Sequence, residues 1–119
     1  MVPYKLKNWI NIENLDWSYL SNNINSIELL KKNPDKINWE TLSSNPNALE
    51  IIENNIDKIN WYELSGNPNA THLLERNINK INWSMLSTNH KAIPILEKNL
   101  NKIKWYELSG NPYAVHLLE

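Results

Sequence analysis

The apolar positions of this chain repeat at an interval longer than a helix or strand period. Trp17, Trp39, Trp61, Trp83 and Trp105 stand 22 residues apart, an interval that belongs to stacked repeat units. A leucine follows each tryptophan by three residues, at Leu20, Leu42, Leu64, Leu86 and Leu108, which places both on one face of a helical turn. Further columns keep the register: Ala48, Ala70, Ala92 and Ala114, with Ser26 in the first repeat; Leu30, Ile52, Leu74, Leu96 and Leu118; and Ile37, Ile59, Ile81 and Ile103. Polar columns run beside them, with Ser21, Ser43, Ser65, Ser87 and Ser109 two residues ahead of Asn23, Asn45, Asn67, Asn89 and Asn111. No insertion interrupts this order.

Capping signals divide each repeat into two short helices. In Asn60-Trp61-Tyr62-Glu63-Leu64-Ser65, an asparagine at the N-cap with a glutamate three residues later resembles a capping box. The helix it opens is about one turn long and is expected to be 3₁₀ in part. Asn67-Pro68-Asn69-Ala70 predicts the second helix, with Asn67 as cap, Pro68 in the first helical position and Ala70, Thr71, Leu73 and Leu74 as the apolar stripe. It is expected to run to about Arg76, and Asn77 falls where a left-handed C-cap stands, as do Asn33, Asn55 and Asn99. Neither helix is long enough to persist alone in water. Stacking must hold them, so Trp17, Trp39, Trp61, Trp83 and Trp105 are expected to pack between repeats, and Asn45, Asn67, Asn89 and Asn111 to have structural roles.

The expected fold is therefore all-α: an α-solenoid of five stacked 22-residue two-helix repeats behind an N-terminal cap. Residues 1–14 form the cap, since Trp9 breaks the register; the repeats are residues 15–36, 37–58, 59–80, 81–102 and a partial 103–119. The last repeat stops inside its second helix, which predicts partial exposure of Leu117 and Leu118.

Composition narrows the classes of function. A length of 119 residues allows one domain without a separate catalytic one. A formal charge of -1 gives no basic excess for a polyanion or an anionic membrane. No cysteine is present, so no disulfide framework or thiolate metal site can form, and no segment reads as a signal peptide or membrane span. An intracellular, soluble chain is expected. A single arginine, Arg76, stands against eleven lysines, a bias that AT-rich coding produces.

Lys58-Ile59-Asn60-Trp61-Tyr62-Glu63-Leu64-Ser65-Gly66-Asn67-Pro68-Asn69-Ala70, followed by His72-Leu73-Leu74-Glu75, resembles the Trp/Asn-Pro tandem repeats encoded many times over by giant, Mimivirus-like DNA viruses of amoebae. The resemblance covers residues 15–119 and implies a viral source, a host-cell setting and a repeat architecture. It is more distantly similar to leucine-rich-repeat variant solenoids, without the cysteines that bind a metal cluster in some of them.

Several columns suggest chemistry, and each has a plainer reading. A tryptophan row can stack sugars or bases, but an array reuses packing positions in every repeat and varies binding positions. His72 and His116 share a column two repeats apart, a separation of roughly 16–20 Å at ordinary helix spacing that rules out joint metal coordination. His90 replaces a proline and is expected to face solvent. Glu53, Glu75 and Glu97 precede Lys58, Lys80 and Lys102 by five residues and read as ladders of exposed ion pairs. The five serines read as helix-end hydrogen bonders. No enzyme, cofactor or metal follows from these patterns. Partner binding is assigned to columns that vary, at Tyr62, Tyr106, Tyr113, Met85, His72, His116 and Arg76, residue types that favour protein interfaces. Repeats 3 and 5 are nearly identical, so a two-repeat duplication also accounts for their shared tyrosine and histidine. The expected function is a protein-interaction scaffold; the alternatives are a self-associating structural protein joined through its C-terminal repeat and, less favoured by charge, a nucleic-acid-binding array.

Overall fold

The computed structural model describes residue 7 and residues 9–119. The proposed cap at residues 1–14 therefore lies partly outside the described residues. Ten α-helices and five 3₁₀ turns make up the regular structure, with no strand among the described residues. The helices alternate between the two members of each repeat. The tryptophan-bearing set is α1 (Trp17–Asn22), α3 (Trp39–Ser43), α5 (Trp61–Ser65), α7 (Trp83–Thr88) and α9 (Trp105–Ser109). Between them come α2 (Ile27–Lys32), α4 (Leu49–Glu53), α6 (Thr71–Glu75), α8 (Ile93–Glu97) and α10 (Val115–Leu118). No helix among the described residues is long and apolar enough to cross a membrane.

The chain divides into two compact units, residues 1–59 and residues 60–119. In unit 1, α1 packs against α3; in unit 2, α5 packs against α7 and α7 against α9. A short 3₁₀ turn, Ile12–Asn14, lies ahead of α1, and its Ile12 carbonyl accepts a 3.2 Å bond from the Trp17 indole Nε1.

The first helix of each repeat starts where its cap dictates. The Asp16, Asn38, Asn60 and Asn82 side chains accept from the backbone N–H three residues on, satisfying one of the orphan donors of a helix start. Lys104 holds the same position ahead of α9 and makes no side-chain cap. The capping box closes across repeats. The cap N–H of Asn38 donates to Ser21 Oγ at 2.9 Å, and that of Asn82 to Ser65 Oγ at 2.9 Å, so a serine of the preceding repeat takes the place of the glutamate.

The second helices begin later than the sequence suggests. Asn67-Pro68-Asn69-Ala70 forms a turn, closed by the Ala70 N–H on the Asn67 carbonyl at 3.1 Å, and Ala70 occupies the N-cap of α6 without any side-chain bond. In the last repeat the corresponding Pro112–Ala114 is a 3₁₀ turn. The helix also stops at Glu75, with Arg76 as C-cap. The left-handed C-cap expected of Asn33, Asn55, Asn77 and Asn99 is absent: no non-glycine residue has positive φ among the described residues. These asparagines satisfy the helix end with their side chains, each Nδ2 donating to the carbonyl four residues back at 2.8–3.0 Å. A carbonyl already bonded in this way needs no chain reversal.

The core consists of the small and branched columns. Ala48, Ala70, Ala92 and Ala114 are fully buried, as are Leu30, Leu42, Ile52, Leu64, Leu74, Leu86, Leu96 and Leu108, and the isoleucine column is buried too. The tryptophans depart from the expectation: Trp17, Trp39, Trp61 and Trp83 are half-buried and Trp105 is 48% exposed. The cause is their place at the first position of a one-turn helix. There the Cα–Cβ bond tilts back towards the N-terminus, over the connector and away from the sealed centre.

Candidate functional site

Residues present in every repeat are occupied in joining neighbours. Asn45 is fully buried; its Nδ2 donates to the Ser21 carbonyl at 3.0 Å and the Asn23 carbonyl at 3.1 Å, and its Oδ1 accepts from the Asn47 N–H at 3.0 Å. Asn89 repeats this arrangement on Ser65, Asn67 and Lys91, and Asn111 on Ser87, Asn89 and Tyr113. Read from sequence as a cap, this column does cap its own turn through Oδ1, and Asn45, Asn89 and Asn111 also fasten that turn to the repeat before it through Nδ2. The serines act in two directions: Ser21, Ser65 and Ser87 donate to the tryptophan carbonyl four residues back at 2.6–2.8 Å, while accepting the next repeat's cap N–H at 2.9–3.2 Å. A catalytic serine would have to give up one of these bonds.

The expected partner-binding residues separate into exposed side chains and side chains with work inside the chain. Tyr62 on α5 and Tyr106 on α9 are 51% and 91% exposed, in one column on either side of Ser84 of α7. Tyr113 is 63% exposed and its ring lies 5.2 Å from that of His90, which is itself exposed. Met85 is half-buried, and its Cε lies 2.8 Å from where a Cβ on Gly66 would stand; the glycine makes room for it. His116 is paired with Glu97 of the preceding repeat at 2.8 Å. Arg76 is exposed, its Nε reaching the His72 carbonyl at 3.4 Å, and His72 is exposed on α6. The tyrosines of the first helices and the histidines of the second helices thus lie on different elements and do not gather into one cluster. Among the described residues, no three His, Asp or Glu side chains converge as a metal site requires.

Lysines make two further kinds of pairing. Lys58 Nζ lies 5.4 Å from the Trp39 ring centroid and Lys80 Nζ 5.1 Å from that of Trp61, a cation–π geometry that also shelters the half-buried indoles. Carboxylates reach across repeats on the second helices: Lys31 bonds Glu50 at 2.9 Å, with Glu28 at 3.6 Å. The bond to Glu50 raises the Lys31 ammonium above its usual value, and the Glu28 charge acts in the same direction.

Grooves are lined by second helices and the segments that follow them. In unit 1, Lys31, Pro34, Ile37, Trp39, Glu50 and Ile51 line a cleft of about 190 Å³. In unit 2 an open groove of about 640 Å³ is lined by Glu75, Arg76, Ile78, Asn79, Trp83 and Lys102, and a neighbouring one of about 260 Å³ shares Glu75 and Ile78 and adds Ile95, Lys98 and Asn99. Sequence reasoning missed these grooves because it took Glu75 and Lys102 as rungs of a ladder. Their signal was the simultaneous departure of several columns in repeats 3 and 4, above all Pro94 where repeat 2 has Glu50. No family model, no curated protein and no solved structure matches this chain. Its class rests on its own architecture, that of an all-helical protein with a repeat-like arrangement of helix pairs.

Proposed function

We propose that the chain is an α-solenoid of five 22-residue repeats acting as a non-catalytic protein-interaction module. The observation that carries this reading is the division of labour between columns. Asn45, Asn89 and Asn111 and Ser21, Ser65 and Ser87 are buried and bonded to neighbouring repeats, whereas Tyr62, Tyr106 and Tyr113 stand in variable columns and are exposed. Large exposed tyrosines on a rigid scaffold are anchors of the kind that dominate protein interfaces. Affinity capture from the cell that makes the protein, with the native chain and with Tyr62→Ala/Tyr106→Ala, tests it. Loss of specific proteins in the double variant is expected; identical captured sets overturn the assignment of this face. A second reading, self-association, is favoured by one observation: Val115 and Leu118 of α10 are exposed apolar side chains. Light scattering over a concentration series separates the two, since mass independent of concentration removes self-association.

A further inference from the structure

The grooves of the two units are built from the same repeat positions with different residues. Lys31, Pro34, Glu50, Ile51 and Asn54 of unit 1 correspond in register to Glu75, Ile78, Pro94, Ile95 and Lys98 of unit 2, one duplicated pair of repeats later. In unit 1 the Lys31 ammonium reaches Glu50 at 2.9 Å across the cleft, and Lys58 covers the Trp39 ring. In unit 2 proline at 94 removes the carboxylate that could bridge the helices. Lys102, the register partner of Lys58, lines the groove beside Trp83 and makes no ring contact or ion pair among the described residues. Lys98, where unit 1 has Asn54, adds a further cation.

Arg76 and Lys102 thus line the larger groove with a single carboxylate, Glu75, and with Trp83 and Ile78, while Lys98 lines the neighbouring groove that shares Glu75 and Ile78. We propose that these two adjoining grooves of unit 2 together bind an extended acidic peptide segment, with its carboxylates on Arg76, Lys102 and Lys98 and an apolar side chain against Trp83 and Ile78. Peptide is favoured over nucleic acid on two grounds. The chain as a whole carries a net charge of -1, where a polyanion reader carries a basic stripe. Glu75, beside Arg76 and Lys102, can accept the amide N–H groups of a peptide backbone, donors that a phosphate backbone lacks.

The proposal rests on the interaction-module reading and is tested apart from it. A fluorescein-labelled peptide alternating aspartate and leucine is titrated with the full chain by anisotropy, while the indole N–H resonances are followed by NMR. Binding that weakens with added salt and shifts the Trp83 resonance ahead of Trp39 is expected. Charge reversal at both Arg76→Glu and Lys102→Glu should weaken it by roughly tenfold or more. The milder pair Arg76→Gln/Lys102→Gln should weaken it less, and reversal at Lys32→Glu/Lys58→Glu in unit 1 should leave it close to native. The proposal is overturned by no binding, by equal loss from both reversals, by equal binding of the same peptide with lysine for aspartate, or by tighter binding of a labelled oligothymidylate. None of these outcomes bears on capture through Tyr62 and Tyr106, so the groove can fail while the module stands.

Discussion

Lys31 in unit 1 and Glu75 in unit 2 occupy one position of the repeat, yet one is ion-paired across its groove to Glu50 and the other has Pro94 at the corresponding position. The backbone around them is built alike: each lies on a short second helix that opens without a side-chain cap bond, after Ser26 in α2 and after Ala70 in α6. What differs is the side chain one repeat further on, a carboxylate at Glu50 that takes the lysine and a ring at Pro94 that offers no charge. An array of this kind keeps its stacking chemistry constant and varies the outward positions of its second helices, so neighbouring grooves can acquire different specificities without a change of fold. The comparison holds only if the stacking chemistry is the same in both units, and this can be measured.

The largest effect is expected at the buried asparagines. Asn45→Ala in unit 1 and Asn89→Ala in unit 2 each remove two bonds to the preceding repeat, while the Asn23 and Asn67 carbonyls keep those from the Ser26 and Ala70 N–H groups, and each should cost about 2–3 kcal/mol in urea unfolding followed by tryptophan fluorescence. Unequal losses would show that the two units are not fastened alike. Asn111→Ala should cost less, because its bond to the Asn89 carbonyl is already 3.4 Å.

Next come the serines. Ser87→Ala removes the acceptor of the Lys104 N–H and should destabilise by about 1–2 kcal/mol. Ser109, exposed and bonded only to the Trp105 carbonyl, should tolerate alanine to within about 0.5 kcal/mol. A Ser109→Ala variant as damaging as Ser87→Ala would mean that the hydroxyl acts within its own helix and not between repeats.

Lys104→Asn should sharpen the picture in the opposite direction. It restores the cap that α3, α5 and α7 have and α9 lacks, for a gain of about 1 kcal/mol, read as a higher urea midpoint.

The smallest effect concerns charge. Lys31 holds its proton above the ordinary lysine value because Glu50 accepts from it, with Glu28 adding to the effect. A raised folded-state value means that the contribution is fully present below the ordinary lysine value and fades as pH climbs through the raised one. In an NMR titration, Glu50→Gln should lower the Lys31 midpoint; an unchanged midpoint would show that this pair does not bridge the cleft of unit 1 in solution.

How much of this was legible beforehand varies from residue to residue. The 22-residue register, the helix pair and the Asp16, Asn38, Asn60 and Asn82 caps could be read directly, because a cap acts within four residues and a period is a property of the sequence itself. Asn67 and its column could be read as caps, and Asn67 and Asn111 do accept from the N–H two residues on; that the amides of Asn45, Asn89 and Asn111 also reach the preceding repeat is not visible in the local sequence. α6 starts late, at Thr71 with Ala70 as cap, because the Asn67 side chain caps the turn ahead of it.

The sequence by itself determined the unit that repeats, which columns are constant, and that the structure is helical, because these depend on local spacing and on burial of a periodic apolar set. Tertiary structure alone decided what each constant residue touches: that Ser21 serves Asn38, that Asn89 serves Ser65 and Asn67, that Lys58 shelters Trp39, and that Pro94 leaves Lys98 and Lys102 facing a groove. These contacts join residues 17–24 positions apart, and at such separations a side chain's partner is chosen by how the backbones stack, which no local pattern encodes.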